Sequence, residues 1–273
     1  MRFFTHFFLA TMLVTTGAVA NDEKPKVALC PSVATNEEHS EEAQQISKLR
    51  GRLRELVNND RIVMRHFDIF AKELSKAFSK EKSLSEEKIE VICRTVAFAA
   101  EKHKGQKRKN KEKTHYISHP LGVTYNLMHY GDVRDVALIT ASLLHDMLNQ
   151  QGCSYSELEK EFGKQVADYV KEVTDDKSPS RAALRRAQLI KAPNISQGAA
   201  QIKLADYLYN VGDLLHSPPE TWNQGRIDRY YQWIQTLLDR LPPANEKLKG
   251  AVQQAIDKYW EQQAASEHPS EDR

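Results

Sequence analysis

The chain has 273 residues, 28% of them charged, with a net charge of +2, 11 glycines and 10 prolines. That length can bury one sizeable domain with extra helices, or two small domains. The balanced charge excludes a uniformly basic nucleic-acid binder, so no nucleic-acid partner is expected and electrostatic selectivity falls to local clusters.

At the N-terminus, Met1-Arg2 precedes Phe3 to Ala20, a stretch without formal charge that ends Gly-Ala-Val-Ala. A short positive start, an apolar middle and Ala18-x-Ala20 predict a signal peptide over residues 1–20, cleaved after Ala20. An uncleaved membrane anchor is the alternative. No cysteine follows the apolar run closely, which argues against a lipoprotein anchor. The expected protein is exported, periplasmic or secreted, and free of the membrane after cleavage. Residues 21–40 are polar, carry two prolines and read as a flexible leader.

From Glu41 the pattern is helical, and the fold class expected is all-α. Ile46, Leu49, Leu53 and Leu56 recur at three- and four-residue spacing, as do Val63, Phe67, Phe70, Leu74 and Phe78. They predict an N-terminal helical extension over 41–82. Ser85-Glu86-Glu87 caps the next helix, which runs through Ile89, Ile92, Val96 and Ala99. Further helices are predicted over 120–130, 132–148, 154–173, 180–192, 198–213, 222–241 and 244–264. Ser154 provides a cap and residues 176–179 a break. The main domain therefore spans 83–264, and 265–273 reads as a disordered tail.

Cys30, Cys93 and Cys153 match no zinc spacing, and an odd number cannot close completely as disulfides. One bridge plus a free thiol, or three unpaired cysteines, are both open.

The chemistry centres on His145-Asp146 in Ala-Ser-Leu-Leu-His-Asp-Met. His119 lies upstream in Tyr-Ile-Ser-His-Pro, and Asp206 downstream in Lys-Leu-Ala-Asp-Tyr. Two imidazoles and two carboxylates form a mixed N/O set suited to Mn²⁺, Zn²⁺ or Fe²⁺. Adjacent residues on one helix point about 100° apart, so His145 and Asp146 require their co-ligands from other helices. A second cluster is basic: residues 102–113 hold seven Lys/Arg in twelve positions, directly before His119. With Arg181, Arg185, Arg186 and Arg226 they could meet several phosphates or a pyrophosphate.

In order and spacing these motifs resemble the HD-domain alarmone hydrolases, the hydrolase half of bacterial RelA/SpoT proteins, and above all the small single-domain animal form. The likeness covers about residues 88–262. It runs from Arg108-Lys109 through Tyr116-Ile-Ser-His119-Pro120, Ala141-Ser-Leu-Leu-His145-Asp146, Phe162-Gly163 and Glu172-Val-Thr-Asp-Asp-Lys177. It continues in Lys203-Leu-Ala-Asp206-Tyr-Leu-Tyr-Asn210 and in Arg226 with Tyr230 before Trp233. The resemblance implies an HD-domain helical bundle with His119, His145, Asp146 and Asp206 as ligands of Mn²⁺. It implies a nucleotide pocket lined by Arg108, Lys109, Arg181 and Arg226, with Tyr116, Asn210 and Tyr230 nearby. The substrate it implies is a small phosphorylated nucleotide, guanosine tetra- or pentaphosphate, which loses its 3′-pyrophosphate.

The chain departs from that pattern where the family carries a water-activating Glu-Asp pair. Asn149 and Gln150 stand there instead, and neither amide accepts a proton. Loss of a positioned base costs about 10²–10⁴ in rate. The expected function is an exported, metal-dependent nucleotide pyrophosphohydrolase of reduced or redirected activity. The alternative is an inactive relative that binds nucleotide or metal.

Overall fold

The computed structural model describes residues 41–79, 86–149, 152–175 and 180–267. The signal peptide, the leader, Cys30, the Ser85 cap, Gln150, the break at 176–179 and the end of the tail lie outside them.

The described residues fold as α-helices: α1 (Glu41–Leu56), α2 (Arg61–Ser79), α3 (Glu86–Lys102), α4 (Ser118–His129), α5 (Val136–Leu143) and α6 (Tyr155–Phe162). They continue with α7 (Lys164–Val173), α8 (Arg181–Lys191), α9 (Gln197–His216), α10 (Gln224–Leu238) and α11 (Glu246–Glu267). The only extended pairing among them is one isolated antiparallel bridge between Lys107 and His115. Seven starts are fixed by side chains that accept the backbone N–H three residues on: Asp60, Asp135, Ser154, Ser180, Ser196, Asn223 and Asn245. Each such cap satisfies a donor the helix leaves open and contributes about 1 kcal/mol.

Helix α4 is the centre of the fold. It is buried from Ser118 to Met128 and packs against α2, α5 and α9. The N-terminal pair joins the same core, with α1 along α3 and α2 along α4. Leu53, Phe67, Phe70 and Leu74 are each 1% exposed, and burial of such a side chain stabilises by about 1.5–3 kcal/mol.

Three expected helices change at their ends. The one expected over 132–148 is helical only over Val136–Leu143. His145 Nδ1 lies 2.8 Å from the Ser142 carbonyl, the group that would have accepted from residue 146 in a continuing helix. The one expected over 154–173 is two helices, because Gly163 takes φ +88° between α6 and α7. Helix α11 runs on to Glu267, so residues 265–267 are helical.

Candidate metal centre

Four residues from three elements converge on one cluster. His119 is the second residue of α4, with its backbone N–H bonded to the Tyr116 carbonyl at 2.9 Å. His145 and Asp146 occupy the turn after α5, which corrects the expectation that both lie on one helix. Asp206 lies midway along α9. The turn frees both side chains from helical spacing and lets them face the same point.

The two Nε2 atoms of His119 and His145 are 3.1 Å apart. Asp206 Oδ1 is 3.3 Å from the first and 3.9 Å from the second. Asp146 Oδ2 is 3.6 Å from His119 Nε2 and 3.3 Å from His145 Nε2. Ligand atoms of His119, His145 and Asp206 all lie within 4.8 Å of one another, a spacing that can hold one metal ion.

A second layer aims these groups. The Ser142 carbonyl accepts the Nδ1 proton of His145, which turns Nε2 into the cluster. The Tyr116 hydroxyl donates to Asp146 Oδ2 at 2.6 Å, and Asn210 Nδ2 to Asp206 Oδ1 at 2.7 Å. His119 Nδ1 is buried without a partner.

The charges favour a cation. Burial alone would raise the Asp146 carboxyl, but His145 and His119 hold it well below the usual range. Asp206 is lowered in the same way by His119 and His145, against burial. Burial depresses the His119 imidazole, helped by Arg108. Burial opposes protonation of His145 too, yet Asp146 and Asp206 push it up to about 9. Two ionised carboxylates and two imidazoles in one buried cluster are a donor set that a divalent ion fits.

The basic run is folded rather than loose. Arg108 donates its backbone N–H to the Thr114 carbonyl, and Tyr116 to that of Gln106. The Arg108 guanidinium bonds Asp213 at 2.7 Å and Asn210 at 3.4 Å, and sits over the rings of Tyr116 and Tyr209. Glu112 accepts from the Ser217 hydroxyl and ties the other end of the run to α9. Lys109 is exposed.

Tyr116 and Asn210, expected in the nucleotide pocket, thus bond directly to two of the metal-site carboxylates. Arg181 starts α8, and Arg226 lies in the first turn of α10, over the Trp222 ring at 4.2 Å. Burial, and then Arg181 and Arg229, lower the Arg226 guanidinium, which marks a group of cations repelling one another. Tyr230 packs on the same Trp222 ring, with centroids 5.7 Å apart; burial and then Asp206 raise its hydroxyl, and Arg108 lowers it. Asn149 is exposed and ends the short 3-10 turn Met147–Asn149. Of the two carboxylates nearest in sequence, Glu157 is paired with Lys102 at 2.8 Å, and Glu159 is exposed.

Sequence reasoning missed Asp213, Ser142, Tyr209 and Trp222. Asp213 carried a signal: positions 206, 210 and 213 share one helix face at spacings of four and three.

This helical site is that of an HD-domain protein, and an HD domain is what the family comparison matches over residues 95–230. The guanosine-3′,5′-bis(diphosphate) 3′-pyrophosphohydrolase MESH1 of Xenopus tropicalis is 44% identical over 162 residues, covering 59% of this chain and 90% of the relative. Its Homo sapiens counterpart is 40% identical over 161 residues, covering 59% and 90%. The solved structure of a metazoan SpoT orthologue, described as hydrolysing ppGpp, superimposes with a TM-score of 0.59. It is 34% identical and covers 62% of this chain and 95% of that one. The chain belongs to the HD-domain (p)ppGpp hydrolase family.

Proposed function

We propose that this chain is a metal-dependent pyrophosphohydrolase that removes the 3′-pyrophosphate from guanosine tetra- or pentaphosphate. The observation that carries the reading is the convergence of His119, His145 and Asp206 within 4.8 Å, with Asp146 beside them. Its relatives bear the name of that activity.

His119, His145, Asp146 and Asp206 would hold the ion, with Mn²⁺ as the family precedent. A bound divalent ion acidifies a water and draws charge from a phosphate oxygen. Arg108 and Lys109 on one side, and Arg181 and Arg226 on the other, supply cations for the two pyrophosphates. Arg108 already shares its guanidinium with Asp213, so it meets phosphate with its orientation fixed. Asn210 joins the two regions: it accepts from Arg108 and donates to Asp206. Tyr230 would line the space between the phosphates and the metal. Asn149 and Gln150 can hydrogen-bond a water but cannot take its proton, which predicts turnover slower than in a Glu-Asp relative.

Export belongs to the same proposal and is supported by residues 1–20 of the sequence. No helix among the described residues is long and apolar enough to cross a membrane. A secreted enzyme of this kind would meet its nucleotide outside its own cytoplasm, or inside another cell.

A second reading follows from Asn149 and Gln150: the chain binds nucleotide and metal without turnover. Incubation of the purified chain with Mn²⁺ and guanosine tetraphosphate, followed by chromatography, separates the two. Release of GDP and pyrophosphate that is lost in His145→Ala supports hydrolysis. Calorimetric nucleotide binding without product supports the second reading.

A further inference from the structure

His103 lies one residue beyond α3, 2% exposed, in a position the metal chemistry above does not use. Its ring packs on that of Tyr116, with centroids 4.6 Å apart and planes 32° apart. Its Nδ1 donates to Gln106 Oε1 at 2.9 Å. Gln106 in turn donates its backbone N–H to the His103 carbonyl and accepts that of Tyr116, both at 3.0 Å. His103, Gln106 and Tyr116 therefore form one closed unit, and the hydroxyl at its end donates to Asp146.

The Nε2 atom of His103 is buried without a partner. An unpaired buried acceptor costs about 1–3 kcal/mol, which an apolar side chain in the same slot would avoid. What an aliphatic side chain would not supply is a flat ring against the phenol and an Nδ1–H that locks it to Gln106. The Tyr116 ring also meets His119 edge-on at 5.6 Å, so its tilt bears on two members of the metal cluster.

We infer that His103 is a positioning residue of the metal centre, acting through Tyr116 on Asp146. The inference rests on the metal-site reading above. Without the imidazole the phenol regains rotational freedom, and its hydroxyl holds Asp146 for a smaller fraction of the time. Loss of such an outer-layer contact lowers metal affinity by about 10–100-fold.

The test is a double-mutant cycle read by Mn²⁺ calorimetry on the full chain: wild type, His103→Ala, Tyr116→Phe and the pair together. Each single substitution is expected to weaken Mn²⁺ binding at least about tenfold, and the double variant to be no weaker than Tyr116→Phe. Equal losses from His103→Ala in both backgrounds, or no loss in wild type, overturn the inference. Should His103→Ala fail to fold, His103→Leu carries the test, because it fills the slot without a flat ring or an Nδ1–H. Folded His103→Leu is expected to weaken Mn²⁺ binding about tenfold, and affinity within about twofold of wild type overturns the inference. A wild-type chain that binds no Mn²⁺ overturns the metal-site reading and this inference with it. That result is distinct from wild-type binding that His103→Ala leaves intact.

Discussion

Arg108 and Asp213 form an ion pair at 2.7 Å, with side chains only 14% and 18% exposed, and it pins the basic loop to α9. Burial alone would lower the guanidinium pKa, but Tyr209 and Asp213 more than offset it and the net shift is upward. Asp213→Ala leaves that cation largely buried and unpaired, a loss of about 3 kcal/mol for a broken buried pair. At this chain length the melting temperature should fall by about 10 °C. A melting curve within a degree of wild type would show that the pair orients the loop without stabilising it.

Gly122 sits where α4 crosses α9, and a Cβ added there would lie 2.0 Å from the Tyr209 ring. Gly122→Ala should therefore destabilise by about 1–3 kcal/mol through overpacking. Tyr209 also faces His119, with ring centroids 5.0 Å apart, so Mn²⁺ affinity should fall with stability. Tyr209→Ala should cost less in the Gly122→Ala background than in wild type, because the clash is with that ring. Denaturant titration of the three variants measures it, and strictly additive losses would contradict the contact.

Cys93 and Cys153 are both free thiols in this structure. Burial, with Glu42 and Glu90, raises Cys93 to about 11, and burial with Glu157 raises Cys153 to about 11. A raised thiol pKa means the reactive thiolate forms only as pH approaches that value. At pH 8 about one thiol in a thousand is ionised. Iodoacetamide should label both slowly in the folded chain at pH 8, and much faster after unfolding. Mass spectrometry of the two peptides checks this, and rapid labelling of the folded chain would contradict it.

The four proposed metal ligands stand out in the sequence because their chemistry is local. His145-Asp146, His119 beside Pro120 and Asp206 in an apolar helix each stand out by residue type. Their common destination was less legible, since it depends on a turn after Leu143 that the apolar pattern does not mark. The hydrophobic run continues through Leu144 and Met147, so periodicity extended the helix, while the Ser142 carbonyl was taken by His145. The division at Gly163 could have been read, because a glycine between two amphipathic stretches invites a left-handed backbone. Arg108 shows the opposite limit. Its charge was plain, but its pairing with Asp213, 105 residues away, is set by how the loop docks on α9. Tyr116 and Asn210, expected around the nucleotide, also bond Asp146 and Asp206. A residue list cannot separate those two layers, because both use the same polar atoms.

The chain keeps the four residues proposed to hold the metal, while Asn149 and Gln150 stand in place of the family's water-activating carboxylates. Asn149→Glu with Gln150→Asp restores that pair and leaves the four ligands unchanged. The most direct measurement compares this variant with wild type in Mn²⁺ and guanosine tetraphosphate, following GDP and pyrophosphate by chromatography. Wild type should release product slowly, the variant about 10²–10⁴-fold faster, and neither should release any once His145 is replaced by Ala. No product from either chain, with Mn²⁺ and nucleotide both shown to bind, would contradict it.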